Sequence, residues 1–416
     1  MRLNAKSNRI FFIIYFLSFI FTLTRFKDIW SLRFASKYVN LLLIIIPIYY
    51  FINNYNRASK KINSFYQRDF LIPICGILLF NLLNYSKSII SDSSNLPLLG
   101  LLIPWSFCLY ISSRPLTAQS LLPRFWEYSY YVILLTTPLG LLDFYLIKNG
   151  YVGRLIDTPL GTFQAGFFSI THILSDGEIY NRLYGCFSEP GTFAMFLLPL
   201  IIYSFLKRKY IGLSVFLVAF LMTKSLGGYV SLFLAITIII IVHKNLVTKA
   251  LLSLSLVFFI IFYKLIVLFQ NSYIAKNLSA EIREFNFTEG AKKIPSLLID
   301  YPFGMPLSSI TVINQSNEDY LGSNFIFLTY LYHGGFVSFF CYLYLIYNCC
   351  VYSYRIISSN LVNNMELKVV AISVLSLIPF HLQRSTVWES PIFAFLFLPA
   401  FYLVARLLPS KSISRL

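Results

Sequence analysis

The sequence predicts an all-α, polytopic membrane protein with about twelve transmembrane helices and two long loops on the outer side. Three observations predict it. Hydrophobic residues make up 57% of the 416-residue chain, and the mean hydropathy is +0.69. Charged residues supply only 12%, about half the usual share of a soluble domain. Apolar runs of the roughly 20 residues a spanning helix needs recur along most of the chain. A single membrane domain over 1–416 is therefore expected in place of two or three soluble ones.

Taken in order, the expected spans fall near 10–24, 38–52, 70–85, 96–111, 128–147, 192–206, 211–223, 226–242, 250–269, 323–347, 366–380 and 390–407. The first follows a basic stretch, Met1 to Arg9, as in a signal peptide. Thr24, Arg25 and Phe26 then stand where a small-x-small cleavage site belongs, so an uncleaved first span is expected. The spans at 211–223 and 226–242 are divided only by Lys224 and Ser225. The chain shows no heptads, internal repeat or low-complexity tail.

Orientation follows from the basic residues, which accumulate in cytoplasmic loops. With the N-terminus inside, the inner segments hold Arg2, Lys6 and Arg9; Arg57, Lys60, Lys61 and Arg68; Arg114 and Arg124; Lys207, Arg208 and Lys209; Lys244 and Lys249; Arg355 and Lys368; and Arg406, Lys411 and Arg415. Arg25, Lys27, Arg33 and Lys37 run against this bias. Of the acidic residues, Asp69, Glu127 and Glu366 lie inside, and almost all the others fall outside, concentrated in long loops at 148–191 and 270–322. Connections of that length are usually functional, so chemistry is expected on the outer face.

The same bias accounts for the formal charge of +17. No basic, aromatic-interleaved soluble domain is present, which excludes nucleic acid as a partner. Cys75, Cys108, Cys186, Cys341, Cys349 and Cys350 lie mostly in or beside apolar runs without a CxxC pair, and read as packing residues. P-loop, GxGxxG, HExxH and GxSxG motifs are all lacking. The driving energy must then come from an activated substrate or a gradient.

The chemistry-bearing residues sit at the loop–span junctions. The first long loop ends in Arg182-Leu183-Tyr184-Gly185-Cys186-Phe187-Ser188-Glu189-Pro190-Gly191-Thr192. Pro190 suits a first helical turn and Ser188 suits an N-cap. A helix N-terminus there presents N–H groups and a positive dipole end to an anion. Arg182 offers a guanidinium fork that matches phosphate oxygens, and Glu189 a carboxylate able to accept a sugar hydroxyl proton. The competing reading is an interfacial Arg182–Glu189 ion pair.

Lys224-Ser225-Leu226-Gly227-Gly228 opens the next span with a cation, a hydroxyl and two glycines that permit close approach; the alternative is a tight turn with small-residue helix packing. The second long loop carries Arg283, with Glu281, Glu284 and Glu289 nearby as possible ion-pair partners. It closes with Pro302-Phe303-Gly304 and then Ser323-Asn324-Phe325. His333 precedes Gly334-Gly335 inside a span, and His381 and Arg384 lie at the last outer loop, with Glu389 following. His172 reads as a loop histidine, and Lys264 as a lysine that snorkels outward.

The ordered set of motifs resembles the Wzy-type O-antigen and capsule polysaccharide polymerases and their ligase relatives. Arg182-Leu-Tyr-Gly-Cys-Phe-Ser-Glu-Pro resembles that family's R-x-x-G-x-F-x-E-P stretch. Lys224-Ser-Leu-Gly-Gly resembles its S-R-G-G helix start. Pro302-Phe303-Gly304, Ser323-Asn324-Phe325 and Gly334-Gly335 resemble its P-L-F-G … H-N-x-F … G pattern. The motifs span roughly 180–340, and the rest matches in span number and loop placement.

The resemblance implies a GT-C-like integral membrane glycosyltransferase of the bacterial cytoplasmic (inner) membrane. It would polymerise undecaprenyl-diphosphate-linked oligosaccharide repeat units into O-antigen or capsule, without cofactor, nucleotide sugar or metal. Membrane lipids, a chain-length regulator and a flippase are the implied neighbours. Arg182 and Arg283 would hold diphosphate, with Glu189 orienting or deprotonating the acceptor and His333 the next choice as base. Lys224, Ser225, Asn324, His381 and Arg384 would help bind substrate. Ser323 stands where the ligase relatives carry a His, which counts against an O-antigen ligase. A lipid-linked oligosaccharide flippase is the rival from another class. It predicts related halves or mid-membrane charges, and the sequence shows neither.

Overall fold

The computed structural model describes residues 67–86, 115–150, 153–158, 161–173, 182–187, 189–242, 301–304, 326–358, 364–383 and 397–407. It adds isolated helical positions among 38–52, at 102, 106 and 253, and among 292–300. The expected spans at 10–24, 96–111 and 250–269 lie wholly or mostly outside the described residues, and the one at 38–52 is described at scattered helical positions.

Helix accounts for 81% of the described residues. In chain order the helices are α1 (Ile72–Ser86, preceded by a π-turn at Gln67–Leu71), α2 (Pro115–Lys148), α3 (Pro190–Leu206), α4 (Tyr210–Met222), α5 (Leu226–Val242), α6 (Ile326–Ser358), α7 (Met365–Ser376), α8 (Ile378–Gln383) and α9 (Leu398–Leu407). Two stretches, Leu122–Lys148 and Gly334–Ser358, are long and apolar enough to cross a membrane; α3, α4 and α5 are shorter apolar helices.

The departure from all-helical architecture lies in the first long loop. β1 (Arg154–Thr158), β2 (Gly161–Ala165) and β3 (Ile170–His172) form an antiparallel meander in that order. Arg154 faces Ala165 across β1–β2, and Phe163 faces His172 across β2–β3. His172 is thus a strand residue, its ring edge-on to Phe163 at 5.1 Å.

The core explains the helix order. α3 is buried along almost its whole length, from Pro190 to Ser204, as befits a helix apolar on every side. It packs against α4, α5 and α7, while α2 lies against α4 and α9. Trp126 of α2 stacks on Tyr203 of α3 at 5.5 Å. A second body of contacts joins α1 to α6. There Asp69, buried in the π-turn, accepts hydrogen bonds from Tyr344 Oη (3.2 Å), Tyr352 Oη (2.9 Å) and Arg68 Nε (2.9 Å), and its backbone carbonyl accepts from Asn348 Nδ2 (2.8 Å).

α3, α4 and α5 run up, down and up, so two sets of turns gather at opposite ends. One end holds Lys207, Arg208 and Lys209 together with the start of α7, where Lys207 Nζ meets Glu366 Oε1 at 2.7 Å. The other holds Arg182, the start of α3, and the α4–α5 turn.

Candidate functional site

The site begins with the segment that feeds α3. Pro190 occupies the first turn; it lacks an N–H, and its ring forces the preceding residue into extended backbone. Glu189 is accordingly the N-cap, at φ −146° and ψ 145°. This corrects the expectation of Ser188 as cap, because the residue before proline is necessarily the last non-helical one; Ser188 itself lies outside the described residues. The Glu189 side chain makes no capping hydrogen bond, and one carboxylate oxygen is buried. Its backbone carbonyl accepts from Phe193 N at 3.1 Å.

Arg182 is fixed to the neighbouring turn rather than swinging from a loose loop. Leu183 N donates to Met222 O at 3.0 Å, and Arg182 Nε donates to Thr223 O at 2.9 Å. The guanidinium therefore sits over the last carbonyls of α4, where a cation is favoured by the helix dipole.

Directly after that carbonyl comes Lys224, held in left-handed backbone at φ 48°. For a side chain larger than glycine this conformation carries strain, which clusters at functional sites. Ser225 follows as the cap of α5: its Oγ accepts from Gly228 N at 3.3 Å and its carbonyl from Tyr229 N at 2.9 Å. A Cβ at Gly228 would stand 3.0 Å from Ala194 Cβ. Gly228 therefore serves the contact of α5 with α3, as the packing alternative has it.

Lys148, the exposed last residue of α2, and Arg182 both act electrostatically on Lys224, so cations from three separate segments influence one another. Burial pushes the Lys224 ammonium below its ordinary range, and Lys148 and Arg182 add to the shift in that order. Among the described residues, both charges that act on Lys224 are positive. Like charges gathered in partly desolvated surroundings favour an anion there.

The second long loop meets α6 at a matching joint. Gly335 breaks the helix at φ 62° and ψ −160°, and Phe336 N donates to Pro302 O at 3.1 Å. A Cβ at Gly335 would collide with Pro302 O, Phe303 C and Gly304 N, so the Pro302-Phe303-Gly304 turn requires glycine opposite it. Gly304, at φ 92°, closes that turn on Tyr301 O at 2.9 Å. His333 lies on α6 two residues before the break and His381 on α8, their side chains outside the described residues. Arg283, Asn324 and Arg384 also lie outside them.

Two participants escaped the sequence reading. Lys148 marks a loop boundary in the sequence, although a basic residue ending an apolar helix is a visible signal. Asp143 falls within the expected span at 128–147, although a lone acid there is a functional candidate by default. It is buried, and its Oδ2 accepts from Phe168 N and from Ser169 N, the latter at 3.1 Å. Among the described residues, no group of three or more His, Cys, Asp or Glu is assembled to hold a metal ion. A scan against protein-family models and a search of curated proteins each find no match to this chain.

Proposed function

We propose that the protein is a multi-pass glycosyltransferase of the bacterial cytoplasmic membrane that polymerises undecaprenyl-diphosphate-linked repeat units on its outer face. About twelve spans and a GT-C-like arrangement belong to the same reading. The observation that carries it is the convergence of Arg182, Lys224 and Lys148 beside a helix N-terminus capped by a glutamate. A diphosphate matches that geometry: Arg182 contributes a planar fork, the lysines contribute point charges, and the first turn of α3 contributes N–H groups.

The chemistry is a displacement at the anomeric carbon of the donor. The acceptor hydroxyl oxygen forms the new C–O bond as the bond to the lipid diphosphate breaks. Negative charge grows on the leaving diphosphate, where Arg182, Lys224 and Arg283 stabilise it, the electrostatic contribution that usually dominates such reactions. Glu189 takes the hydroxyl proton. An ionised carboxylate repels diphosphate, so Glu189 serves the acceptor and leaves the donor to the cations.

The test uses the purified full chain, a lipid-diphosphate-linked repeat unit, and separate donor-binding and turnover assays. Glu189→Gln is expected to bind donor as wild type and to lose transfer, because the amide keeps the shape and cannot accept the proton. Near-normal turnover by this variant removes Glu189 from the chemistry. Failure of wild type to extend the repeat unit rejects the polymerase.

A further inference from the structure

Asp143 is an anomaly in the fold as described. It is a buried carboxyl group in the second half of α2, five residues below Lys148, on a helix otherwise apolar enough to cross a membrane. Burying such a group costs several kcal/mol in general unless it is well hydrogen-bonded. It accepts from two backbone N–H groups, those of Phe168 and Ser169 in the turn between β2 and β3. The turn is shaped for it: a Cβ at Gly166 would collide with the Asp143 carboxyl group. Gly140, one turn earlier on α2, lies so close that its own Cβ would stand 3.3 Å from Phe168 O and 3.8 Å from Gly185 Cα.

The hairpin continues from there to the cationic cluster. Ile170 N donates to Gly185 O at 2.9 Å. Gly185 sits at φ 54° in the loop that carries Arg182, and Leu183 and Arg182 then bond to Met222 O and Thr223 O, just before Lys224. An unbroken run of hydrogen bonds and short backbone segments thus leads from Asp143 through the β2–β3 turn and Gly185 to Arg182.

We infer that Asp143 is a positioning residue: by anchoring the β2–β3 turn to α2 it holds the Arg182 loop in register with Lys224 for binding a diphosphate. This rests on the diphosphate reading of the cluster. Asp143 acts as a hydrogen-bond acceptor, since one oxygen receives both N–H groups. An amide oxygen in the same place can receive them too, whereas an aliphatic side chain removes the acceptor that both N–H groups share.

The experiment follows amide hydrogen exchange and inorganic pyrophosphate binding on the full chain, in wild type, Asp143→Leu and Asp143→Asn. Asp143→Leu is expected to lose protection at Phe168, Ser169, Ile170 and Leu183 while α3 to α5 keep theirs. It should also weaken pyrophosphate binding on the order of tenfold, since small misplacements of binding groups are costly. Asp143→Asn is expected to restore most of both. Wild-type affinity in Asp143→Leu overturns the proposal. So does a loss that Asn fails to rescue, which would make the charge, not the joint, responsible. Where Asp143→Leu fails to fold, Gly166→Ala perturbs the same joint from the hairpin side and should reproduce both losses; normal protection and affinity in it overturn the proposal. If wild type binds no pyrophosphate, the diphosphate reading falls on its own, because exchange reads the joint without any ligand.

Discussion

The two ends of α4 are built alike and matched differently. Each joins short apolar helices through a tight turn, and each holds a basic residue in left-handed backbone, Arg208 at φ 56° and Lys224 at φ 48°. At the first turn a carboxylate and aromatic rings lie against the cations, although among the described residues Lys209 Nζ has no hydrogen-bond partner and Lys207 repels it. Lys207 meets Glu366 at 2.7 Å. Lys209 Nζ lies over the rings of Tyr130, Tyr131 and Tyr203 at 4.1, 5.0 and 5.2 Å, with Glu127 partly offsetting its desolvation. At the second turn Lys224 is desolvated and flanked by Lys148 and Arg182. We read the second turn as the binding one, because among the described residues both charges that act on Lys224 are positive. The preference for an anion follows from this arrangement without any motif.

The largest expected effect breaks the binding end. Arg182→Ala should reduce transfer on the order of 10²–10³-fold and abolish pyrophosphate binding, with a stability loss of only about 1 kcal/mol from its hydrogen bond to Thr223 O. Arg182→Lys should rescue poorly, because a point charge cannot reproduce the fork. The measurement is turnover with a lipid-linked repeat unit alongside a melting curve. A wild-type polymer ladder at normal expression from Arg182→Ala would remove the anion from the comparison.

The next effect breaks the α1–α6 contact, apart from both turns of α4, and should leave the chemistry alone. Asp69→Ala removes an acceptor that receives Tyr344, Tyr352 and Arg68. The buried Tyr352 hydroxyl then loses its acceptor, and the cost should be about 2–4 kcal/mol. The expected result is a clear drop in thermal midpoint with pyrophosphate affinity of the surviving folded protein unchanged. Equal losses in stability and affinity would mean that the α1–α6 contact and the binding turn are coupled rather than independent.

What the sequence made legible divides along similar lines. Helices α3, α4 and α5 sit within a residue or two of their expected bounds, since apolar runs end sharply at Pro190, Lys207–Lys209 and Lys224. The Pro190 first turn was legible because proline constrains both itself and its predecessor. The β-meander was not, although Leu155, Ile156, Phe163 and Ile170 with Gly161 carried a strand-like signal; length alone marked that region as loop. The roles of Asp143 and Lys209 were hidden for a deeper reason. Asp143 is satisfied by backbone N–H groups, which every residue but proline possesses, and the rings around Lys209 come from positions as distant as Tyr130 and Tyr203. Only the fold brings such partners together.

The smallest effect sharpens the comparison most, because one substitution is made at both turns. Lys209→Met keeps an unbranched side chain over the three rings and loses the cation–π attraction, so stability should fall by about 0.5–1 kcal/mol with anion binding unchanged. Lys224→Met removes a charge that its neighbours repel. Stability should therefore hold or rise by a few tenths of a kcal/mol, while pyrophosphate affinity drops severalfold. The pH dependence supplies an independent reading. Folding lowers the Lys224 pKa below its ordinary 10.5 through burial and then through Lys148 and Arg182. Between the lowered value and 10.5 the unfolded chain holds the proton more tightly, so ligand-free stability gains from this residue as pH rises through that window. A bound diphosphate needs the charged ammonium, so affinity should fall over the same rise. Wild type should show both trends, and Lys224→Met should lose Lys224's share of each. Parallel behaviour of stability and affinity with pH, or identical consequences of the two Met variants, would erase the distinction between the turns.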